Sequence, residues 1–281
     1  MKLKFKHSGH LGNLIYSLAA VKVMTEKSGE PCDFFIPSNV PNLYPPSAHH
    51  PSGTVMVSEP IFRFIEPLLT HQSYIDQINY GPLASIPRDV VDLDQFRTSG
   101  INLTAGFEPV WYRQCMAMPV PVEKPWLTVS GAPLQQSGPE IVVSRTLRYN
   151  NNNTRINYGL LQPFESVGFV GLPEEYKHFI ERHALTNVRH FTVNNALEMA
   201  RVMGASKLFV GNQSFCFAIA EGMKINRALE YFAPIPVVIP IGGTCIEYVS
   251  TPALAHFLQN YFQRKLPPVP ELNGGYVDIV P

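Results

Sequence analysis

Charged residues are scarce in this 281-residue sequence, at 16%, and neither sign is in excess, since 22 Lys and Arg balance 22 Asp and Glu. There is no basic run, so the long-range attraction that brings nucleic acid to a protein is not indicated. There is also no apolar run long enough to span a bilayer, and residues 1–7 lack the apolar core of a signal peptide. We therefore expect a globular protein in the cytoplasm.

Cysteine is equally sparse, and the four that occur are far apart: Cys32, Cys115, Cys216 and Cys245. Their spacing fits neither a disulfide framework nor a zinc site, so we expect reduced core residues. His49 and His50 are the only histidine or cysteine pair with ligand spacing, and they lie in a predicted loop. The sequence has no Walker motif, no G-x-S-x-G elbow and no dinucleotide fingerprint. It predicts no metal site and no bound cofactor.

Strand and helix patterns alternate in two series, separated at 131–139 by a small, polar stretch that is the best linker candidate. This alternation predicts an α/β protein of two Rossmann-like, doubly wound domains that face a cleft. We place the domains at 1–132 and 133–265, with a tail at 266–281 that could pack back on the first domain. Weaker patterns predict a helix over 107–118 and strands over 126–129 and 237–239.

The strongest motif follows a buried strand predicted at 207–210. The chain turns at Gly211 and Asn212, and Ser214 can cap the next helix, which is apolar at its start. A small-residue turn before a buried helix N-terminus forms an anion site, because backbone N–H groups and the helix dipole face the turn. Asn212, Gln213 and Ser214 are therefore candidate anion ligands.

Three charged residues accompany this motif. Glu221 is the lone charge on the apolar helix, and its carboxylate needs either a structural cation or a ligand hydroxyl. Arg227 and Glu230 bracket a short strand, where they could pair with each other or hold phosphate and ribose.

A second set of candidate ligands follows the strand predicted at 141–144. Arg145 and Arg148 suit bidentate contact with phosphate, and Tyr149 offers a face for stacking. Arginines in a loop are often simply solvated, but a loop at the carboxyl end of a strand faces the cleft. Further along, Glu174 and Glu175 open a helix, where the helix dipole alone accounts for them.

In the first half, the segment from His7 to Asn13 (His-Ser-Gly-His-Leu-Gly-Asn) joins the first strand to the first helix. Gly9 and Gly12 permit a tight turn and a close approach of the backbone to a ligand. The segment is either a helix-capping turn or a substrate loop, and its two histidines favour the latter. His10 could donate a hydrogen bond or shuttle a proton.

Two carboxylates, Asp92 and Asp94, lie close together in the sequence, with Arg97 three residues beyond. A carboxylate held in a cleft can take the proton of an acceptor hydroxyl, which contributes about 10²–10⁴ in rate. An Asp–Arg pair that holds a loop together explains the pattern at least as well.

Two motifs together resemble a known family. His-Ser-Gly-His-Leu-Gly-Asn-Leu-Ile-Tyr-Ser-Leu near the start, with Phe-Val-Gly-Asn-Gln-Ser and Ala-Ile-Ala-Glu-Gly in the second half, resembles the heptosyltransferase-like glycosyltransferases of the GT-B fold. The resemblance implies an acceptor-binding first domain and a second domain that binds a nucleotide-sugar, with the diphosphate at 212–214. It also implies inverting transfer without a metal, in which the helix dipole and basic side chains stabilise the leaving diphosphate.

The match has one departure. Family members usually carry an aspartate, the usual candidate base, where this chain has Asn13, and an amide cannot accept a proton as a carboxylate does. Either the base has moved, with Asp94 our first choice, Asp92 the second and His10 the third, or the chain is not a working transferase.

The sequence therefore predicts a glycosyltransferase that uses a nucleotide-diphosphate sugar, with a glycan, a lipid or a modified DNA base as acceptor. In this interpretation Arg145 and Arg148 neutralise the diphosphate, and Glu221 or Glu230 holds the ribose hydroxyls. A catalytically inactive sugar-nucleotide-binding module is one alternative. A nucleotide-sugar epimerase or hydrolase on the same fold is another.

Overall fold

The computed structural model describes residues 2–42, 53–100, 111–112, 114, 116–130, 138–149 and 156–269. Several sequence predictions lie outside the described residues: those for Cys115, His49, His50, residues 131–137 of the linker, half of the helix at 107–118, and 270–281 of the tail. No described helix is long and apolar enough to cross a membrane.

The first half contains a four-stranded sheet in the order β3-β2-β1-β4, with every neighbouring pair parallel. Its elements are β1 (Lys4–Lys6), α1 (Leu11–Ser28), β2 (Cys32–Pro37), α2 (Glu59–Thr70), β3 (Ile75–Gly81) and β4 (Val91–Asp92). Helix α1 ends at Gly29, which adopts the left-handed conformation (φ 80°) and donates its N–H to the Thr25 carbonyl. The N-terminus of α1 lies directly after the loop that follows β1.

The second half contains a six-stranded parallel sheet in the order β10-β9-β8-β5-β6-β7. Its strands are β5 (Ile141–Ser144), β6 (Val167–Phe169), β7 (Val188–His190), β8 (Leu208–Asn212), β9 (Arg227–Glu230) and β10 (Cys245–Tyr248). Its helices are α3 (Pro173–His183), α4 (Ala196–Gly204), α5 (Phe215–Met223) and α6 (Thr251–Phe262). Two parallel sheets in sequence confirm the predicted α/β class with two Rossmann-like halves.

Both faces of the second sheet are buried, which explains the nearly continuous apolar sequence of its central strands. Side chains alternate between the two faces along a strand. Thus Val142 and Phe209 belong to one hydrophobic cluster, whereas Ile141, Val143 and Val210 belong to another on the opposite face.

The first of these clusters also contains the core of the first half, so the two halves share continuous apolar packing. Helix α1 packs against α5, and α2 packs against α4. Phe64 of α2 meets Phe215 of α5 with ring centroids 6.3 Å apart. The contact between the halves is therefore a hydrophobic core rather than a wetted crevice along these helices.

The segments 126–129 and 237–239, predicted as strands, are not strands. Trp126 bridges the halves: its indole N–H donates to the Ile15 carbonyl (2.8 Å), and its backbone N–H to the Gly222 carbonyl (2.9 Å). Residues 237–239 belong to the connection before β10, a strand that the sequence pattern did not predict.

The start of the tail, residues 266–269, packs on the second half. Leu266 is buried in the core of that half, and Val269 packs against the same cluster. The predicted return of the tail to the first domain stays a prediction.

Candidate functional site

Each sheet has a switch point, where the chain leaves two neighbouring strands towards opposite sides of the sheet. From β1 the chain runs outwards to β2 and β3, then returns to β4 on the other side of β1; β5 separates β6 and β7 from β8, β9 and β10 in the same way. Ligands of open α/β sheets bind in the crevice at the carboxyl ends of such strands. The loops to inspect are those after β1 and β4, and after β5 and β8.

In the second half, Asn212 joins the two loops at this point. It is the last residue of β8 and is fully buried. Its side-chain oxygen accepts from the Thr146 N–H (3.0 Å), while its Nδ2 donates to the carbonyls of Thr146 (2.8 Å) and Tyr149 (3.1 Å). Asn212 therefore fixes the loop after β5, rather than offering its amide to a ligand as predicted.

Helix α5 starts beside this clamp and has no side-chain cap. Ser214 occupies the N-cap position, but its hydroxyl makes no cap and, within the described chain, has no hydrogen-bond partner although its oxygen is buried. By contrast, Asn195 caps α4 (2.9 Å) and Ser250 caps α6 (3.3 Å). No acidic residue lies in the first turn of α5, so its positive dipole end is not compensated there.

Gly211 allows β8 to approach β5 closely just before the helix. A Cβ at this position would lie 2.8 Å from the Ser144 carbonyl oxygen and 2.8 Å from the Phe209 ring. Gly211 and Asn212 belong to β8 rather than to the turn that was predicted there, and the chain bends at Gln213 and Ser214 instead. Strand, bend and helix N-terminus are thus present as one unit, with the bend two residues later than predicted.

Arg145 and Glu230 are bound to each other. Arg145 Nε and Nη2 donate to the two carboxylate oxygens of Glu230 at 2.7 and 2.9 Å, and both side chains are buried. The pair neutralises itself within the protein, so neither charge is left over for a ligand; the roles predicted for Arg145 at phosphate and Glu230 at ribose stay predictions. The sequence could not show this, because 85 residues separate the two partners.

Arg148 differs from Arg145 in being partly exposed. Its Nε has no hydrogen-bond partner in the part of the chain that the structure describes. Its guanidinium lies 6.0 Å from the ring centroid of Tyr149, which in turn meets Phe232 edge to face at 5.5 Å. Arg148 and Tyr149 are therefore both partly exposed, as contact with a phosphate and stacking on a base require.

Glu175 was explained from the sequence by the helix dipole alone, yet it lies at this site. It is 9% exposed, in the first turn of α3, and accepts from the Leu172 N–H at 3.0 Å. Burial raises the pKa of its carboxyl, and the nearby Arg148 works in the opposite direction. In the sequence, the signal for this placement of Glu175 was the glycine at position 171. Gly171 has φ 152°, and a Cβ there would lie 2.9 Å from Glu175 Oε2.

Glu221 and Arg227 lie at the opposite end of the strands from Ser214. Arg227 is the first residue of β9, is fully buried and pairs with Glu221, which also pairs with Lys224. Arg227 Nη2 donates further to the carbonyls of Ile241 (2.8 Å) and Gly242 (3.0 Å). Glu221 therefore has the structural cation that was one of its two predicted partners, and the donor-binding role of both residues stays a prediction.

In the first half, His7 is a structural residue. It is fully buried, its Nδ1 accepts from the Gly9 N–H (3.1 Å) and its Nε2 lies 3.0 Å from the Tyr112 hydroxyl. That hydroxyl donates to the Asn13 carbonyl (2.9 Å). Burial lowers the pKa of His7 to about 4, so the ring is neutral at pH 7 and holds the loop together.

Asp94 links the loop after β4 to the loop after β1. Its Oδ2 accepts from the N–H (3.0 Å) and the hydroxyl (2.5 Å) of Ser8, and Lys6 lies 3.5 Å away. Burial opposes the charge, but His7, Ser8, Arg97 and Lys6 together hold the pKa of the carboxyl below its usual value. Its Oδ1 is buried, lies 3.5 Å from Arg97 Nε and makes no hydrogen bond to any described residue.

The other candidates surround Asp94. Asp92 is engaged, because it pairs with Lys6 (2.9 Å) and accepts from the Asp94 N–H (2.9 Å). His10 is the half-buried N-cap residue of α1. The guanidinium of Arg97 lies over Gly9, since a Cβ on that glycine would be 2.0 Å from Arg97 Nη2.

Asn13 lies half-buried in the first turn of α1. Gly12 beside it has open space where a Cβ would point, with no atom within 4 Å of that position. The structure thus gathers the candidate catalytic and acceptor-binding residues of the first half around the loop that follows β1. Across the described residues, no group of three or more His, Cys, Asp or Glu side chains could hold a metal ion.

No protein-family model matches the sequence, and no curated protein matches it. Solved structures do resemble the chain. The E. coli ADP-heptose LPS heptosyltransferase II is 12% identical with a TM-score of 0.62, covering 94% of this chain and 99% of its own. A glycosyl transferase of family 9 from Veillonella parvula is 9% identical with a TM-score of 0.61, covering 95% and 90%.

An E. coli heptosyltransferase solved with ADP is 13% identical with a TM-score of 0.54, covering 93% of this chain and all of its own. Identities this low establish the fold and no more. The resemblance noted in the two sequence motifs thus extends to nearly the whole chain, which has the two-domain, Rossmann-like GT-B fold of these heptosyltransferases.

Proposed function

We propose that the protein is a glycosyltransferase that moves a sugar from a nucleotide-diphosphate sugar to an acceptor hydroxyl. The observation that carries the proposal is the uncapped N-terminus of α5, which opens beside Arg148 between β5 and β8. Helix N-termini bind phosphate through backbone N–H groups and the helix dipole. Solved structures of the same fold are heptosyltransferases, one of them with ADP, which supports a nucleotide as ligand.

In this proposal the leaving diphosphate is stabilised by three groups. The first turn of α5 supplies N–H donors and the positive dipole end, the Ser214 hydroxyl supplies a further donor, and Arg148 supplies a full charge. Fixed donors aimed at developing charge need no reorganisation during the reaction. Gln213 and Tyr149 line the same loops, and Glu175 is the carboxylate near Arg148 that could meet ribose hydroxyls.

The acceptor would bind at the loops of the first half, and Asp94 is the base we favour. Its Oδ1 makes no hydrogen bond to any described residue and has only the Arg97 guanidinium 3.5 Å away, whereas Asp92 pairs with Lys6 at 2.9 Å and accepts from the Asp94 N–H. Attack from the side opposite the diphosphate gives inversion in one displacement, and the helix dipole and Arg148 replace a metal. His10 stays the third candidate for the base.

A specific observation favours a second candidate, an inactive sugar-nucleotide-binding module. Asn13 has no proton-accepting carboxylate, and the lowered pKa of Asp94 makes it a weak base. An epimerase or hydrolase is the third candidate, because it needs no acceptor. The acceptor class (glycan, lipid or modified nucleobase) and the location in the cytoplasm stay predictions.

The test is a thermal-shift screen against UDP-, GDP-, ADP-, dTDP- and CMP-sugars. At 100 times its dissociation constant, the true donor should stabilise the protein by about 2.7 kcal/mol. CMP-sugars have one phosphate and serve as the control, for which we expect little or no shift. If no diphosphate sugar stabilises the protein, the donor site does not exist. Free sugar released without acceptor would identify a hydrolase, and binding without turnover an inactive module.

A further inference from the structure

The loop after β5 is held from two sides. Asn212 of β8 binds the backbone of Thr146 and Tyr149, as described above. On the other side, Glu230 at the end of β9 binds the guanidinium of Arg145 through both oxygens. A paired contact of this kind fixes the plane of the guanidinium as well as its position. Arg145 immediately precedes Thr146, so both contacts determine where Arg148 lies.

Glu230 is itself the centre of a buried hydrogen-bond network. Its Oε2 accepts from the Tyr158 hydroxyl at 2.7 Å, and that hydroxyl lies 2.6 Å from the hydroxyl of Tyr248 on β10. Burial, followed by the charge of Glu230, raises the pKa of both tyrosines well above 10, so both keep their protons. Because the Tyr158 hydroxyl donates its one hydrogen bond to Glu230, the Tyr248 hydroxyl must donate to Tyr158.

This network reaches no part of the crevice, since all four side chains are at most 3% exposed. Ionic groups this deeply buried are costly to desolvate, and replacing them by apolar residues is often neutral or stabilising. Stability alone therefore explains the network poorly. Its geometric effect is specific, because it connects β10, the 156–161 segment and β9 to the first residue of the loop that carries Arg148.

We propose that Glu230 is a positioning residue of the donor site, which through Arg145 holds Arg148 beside the N-terminus of α5, and that Tyr158 and Tyr248 hold Glu230 in turn. The proposal rests on the proposed function of the second half. It replaces the direct contacts first predicted for Arg145 and Glu230 with an action through Arg148.

Hydrogen–deuterium exchange of the ligand-free protein tests the positioning itself. Glu230→Gln removes the charge, and Tyr248→Phe is the milder change that keeps the ring. We expect the backbone of residues 145–149 to exchange about tenfold faster or more in both variants, because hydrogen bonds to a charged partner are lost or weakened. Glu247→Gln, an exposed neighbour on β10, and Tyr261→Phe, whose hydroxyl binds the distant Lys207 carbonyl, are the controls.

Nucleotide binding then tests whether this position matters for the donor site. The probe is whichever of ADP, UDP, GDP and dTDP stabilises the wild-type protein most. We expect its affinity to fall about tenfold in Glu230→Gln, while the affinity for the corresponding nucleoside, which has no diphosphate, is unchanged. The double variant Arg145→Met/Glu230→Leu should recover the melting temperature without recovering diphosphate affinity, whereas a purely structural pair would recover both.

The outcomes separate this inference from the proposed function. Unchanged exchange at 145–149 in a folded Glu230→Gln or Tyr248→Phe variant overturns the positioning role. Faster exchange together with unchanged diphosphate affinity overturns it as well. A third outcome is faster exchange in the variants while the wild-type protein binds none of the four nucleotides. The network then anchors the loop, but the proposed donor site does not exist.

Discussion

Arg145 and Arg148 lie three positions apart and have opposite environments. Arg145 is buried and its charge is matched by Glu230, whereas Arg148 is partly exposed and its Nε has no hydrogen-bond partner among the described residues. A phosphate gains little from a cation that a carboxylate already neutralises. In the proposed function, the charge on this loop that would meet a diphosphate is therefore that of Arg148.

Replacing Arg148 by Ala should weaken nucleoside-diphosphate binding by about 1.5–3 kcal/mol, the usual value of a hydrogen bond to a charged group, without lowering the melting temperature. Arg145→Ala should instead lower stability by about 3–5 kcal/mol, because it leaves Glu230 buried without its cation. Calorimetric titration and thermal melting measure both effects. Lys177→Ala, at an exposed position of α3, is the matched loss of charge and should change neither. Equal binding by Arg148→Ala would contradict the assignment.

His7 makes a prediction about acid stability. Its pKa is about 4 in the folded protein and near 6.5 when unfolded, so the unfolded chain binds the proton more readily. The stabilising contribution is complete above pH 6.5 and is lost as the pH falls towards 4, at about 1.4 kcal/mol per unit in that window. Denaturant unfolding at several pH values should therefore show a shallower loss in His7→Gln than in the wild type. Parallel pH curves would mean that His7 does not titrate in this way.

For single residues, the sequence indicated which ones belong to the two candidate sites but not which partners they have: Arg227 and Glu230 were considered as a pair, yet Arg227 binds Glu221 and Glu230 binds Arg145. Asp94 and Arg97 were expected as either base or loop pair, and they lie beside Ser8 and Gly9 as the loop pair requires. The partners that decide such roles, Ser8 for Asp94 and Glu230 for Arg145, are 86 and 85 residues away. A single sequence contains no signal for contacts at that distance.

Among the secondary-structure elements, the unit formed by β8, the turn and α5 brings most of the proposed donor site together. Its apolar strand, its small turn residues and its buried helix follow local rules, and it was predicted from them. Edge strand β10 was missed because Cys-Ile-Glu-Tyr has no strong strand pattern, and it is defined by its pairing with β9. Pairing of this kind depends on the whole sheet.

The close packing at Gly211 makes this unit sensitive to one methyl group. In Gly211→Ala, the new Cβ would be 2.8 Å from the Ser144 carbonyl, so β8 must move away from β5. We expect a loss of about 1–3 kcal/mol in stability, as for overpacking elsewhere, and weaker nucleotide binding because the N-terminus of α5 moves too. Thermal melting with and without nucleotide measures both. Gly12→Ala, with open space around its Cβ, should keep or raise stability, and equal behaviour of the two variants would refute the packing argument.

Over the full chain, the two halves share one apolar cluster across α1, α2, α4 and α5. Interfaces between domains that are large and hydrophobic resist relative motion. Composition and alternation predicted two α/β halves, but not that their helices would merge into one core.

The shared core predicts that the two halves unfold together. Calorimetry should show a single transition whose calorimetric and van't Hoff enthalpies agree. Trp126→Phe, which removes the indole N–H bond to Ile15, should shift that transition as a whole. Two resolved transitions, of which only one moves in Trp126→Phe, would show that the halves are independent.

The proposed function depends above all on a nucleoside diphosphate binding at the carboxyl edge of the second sheet. Hydrogen–deuterium exchange with and without the tightest-binding nucleoside diphosphate locates the ligand directly. We expect protection of residues 145–149 and 212–217, together with little change at 7–13, and loss of that protection in Arg148→Ala. Protection confined to 7–13, or none at either edge, would show that the diphosphate does not bind there.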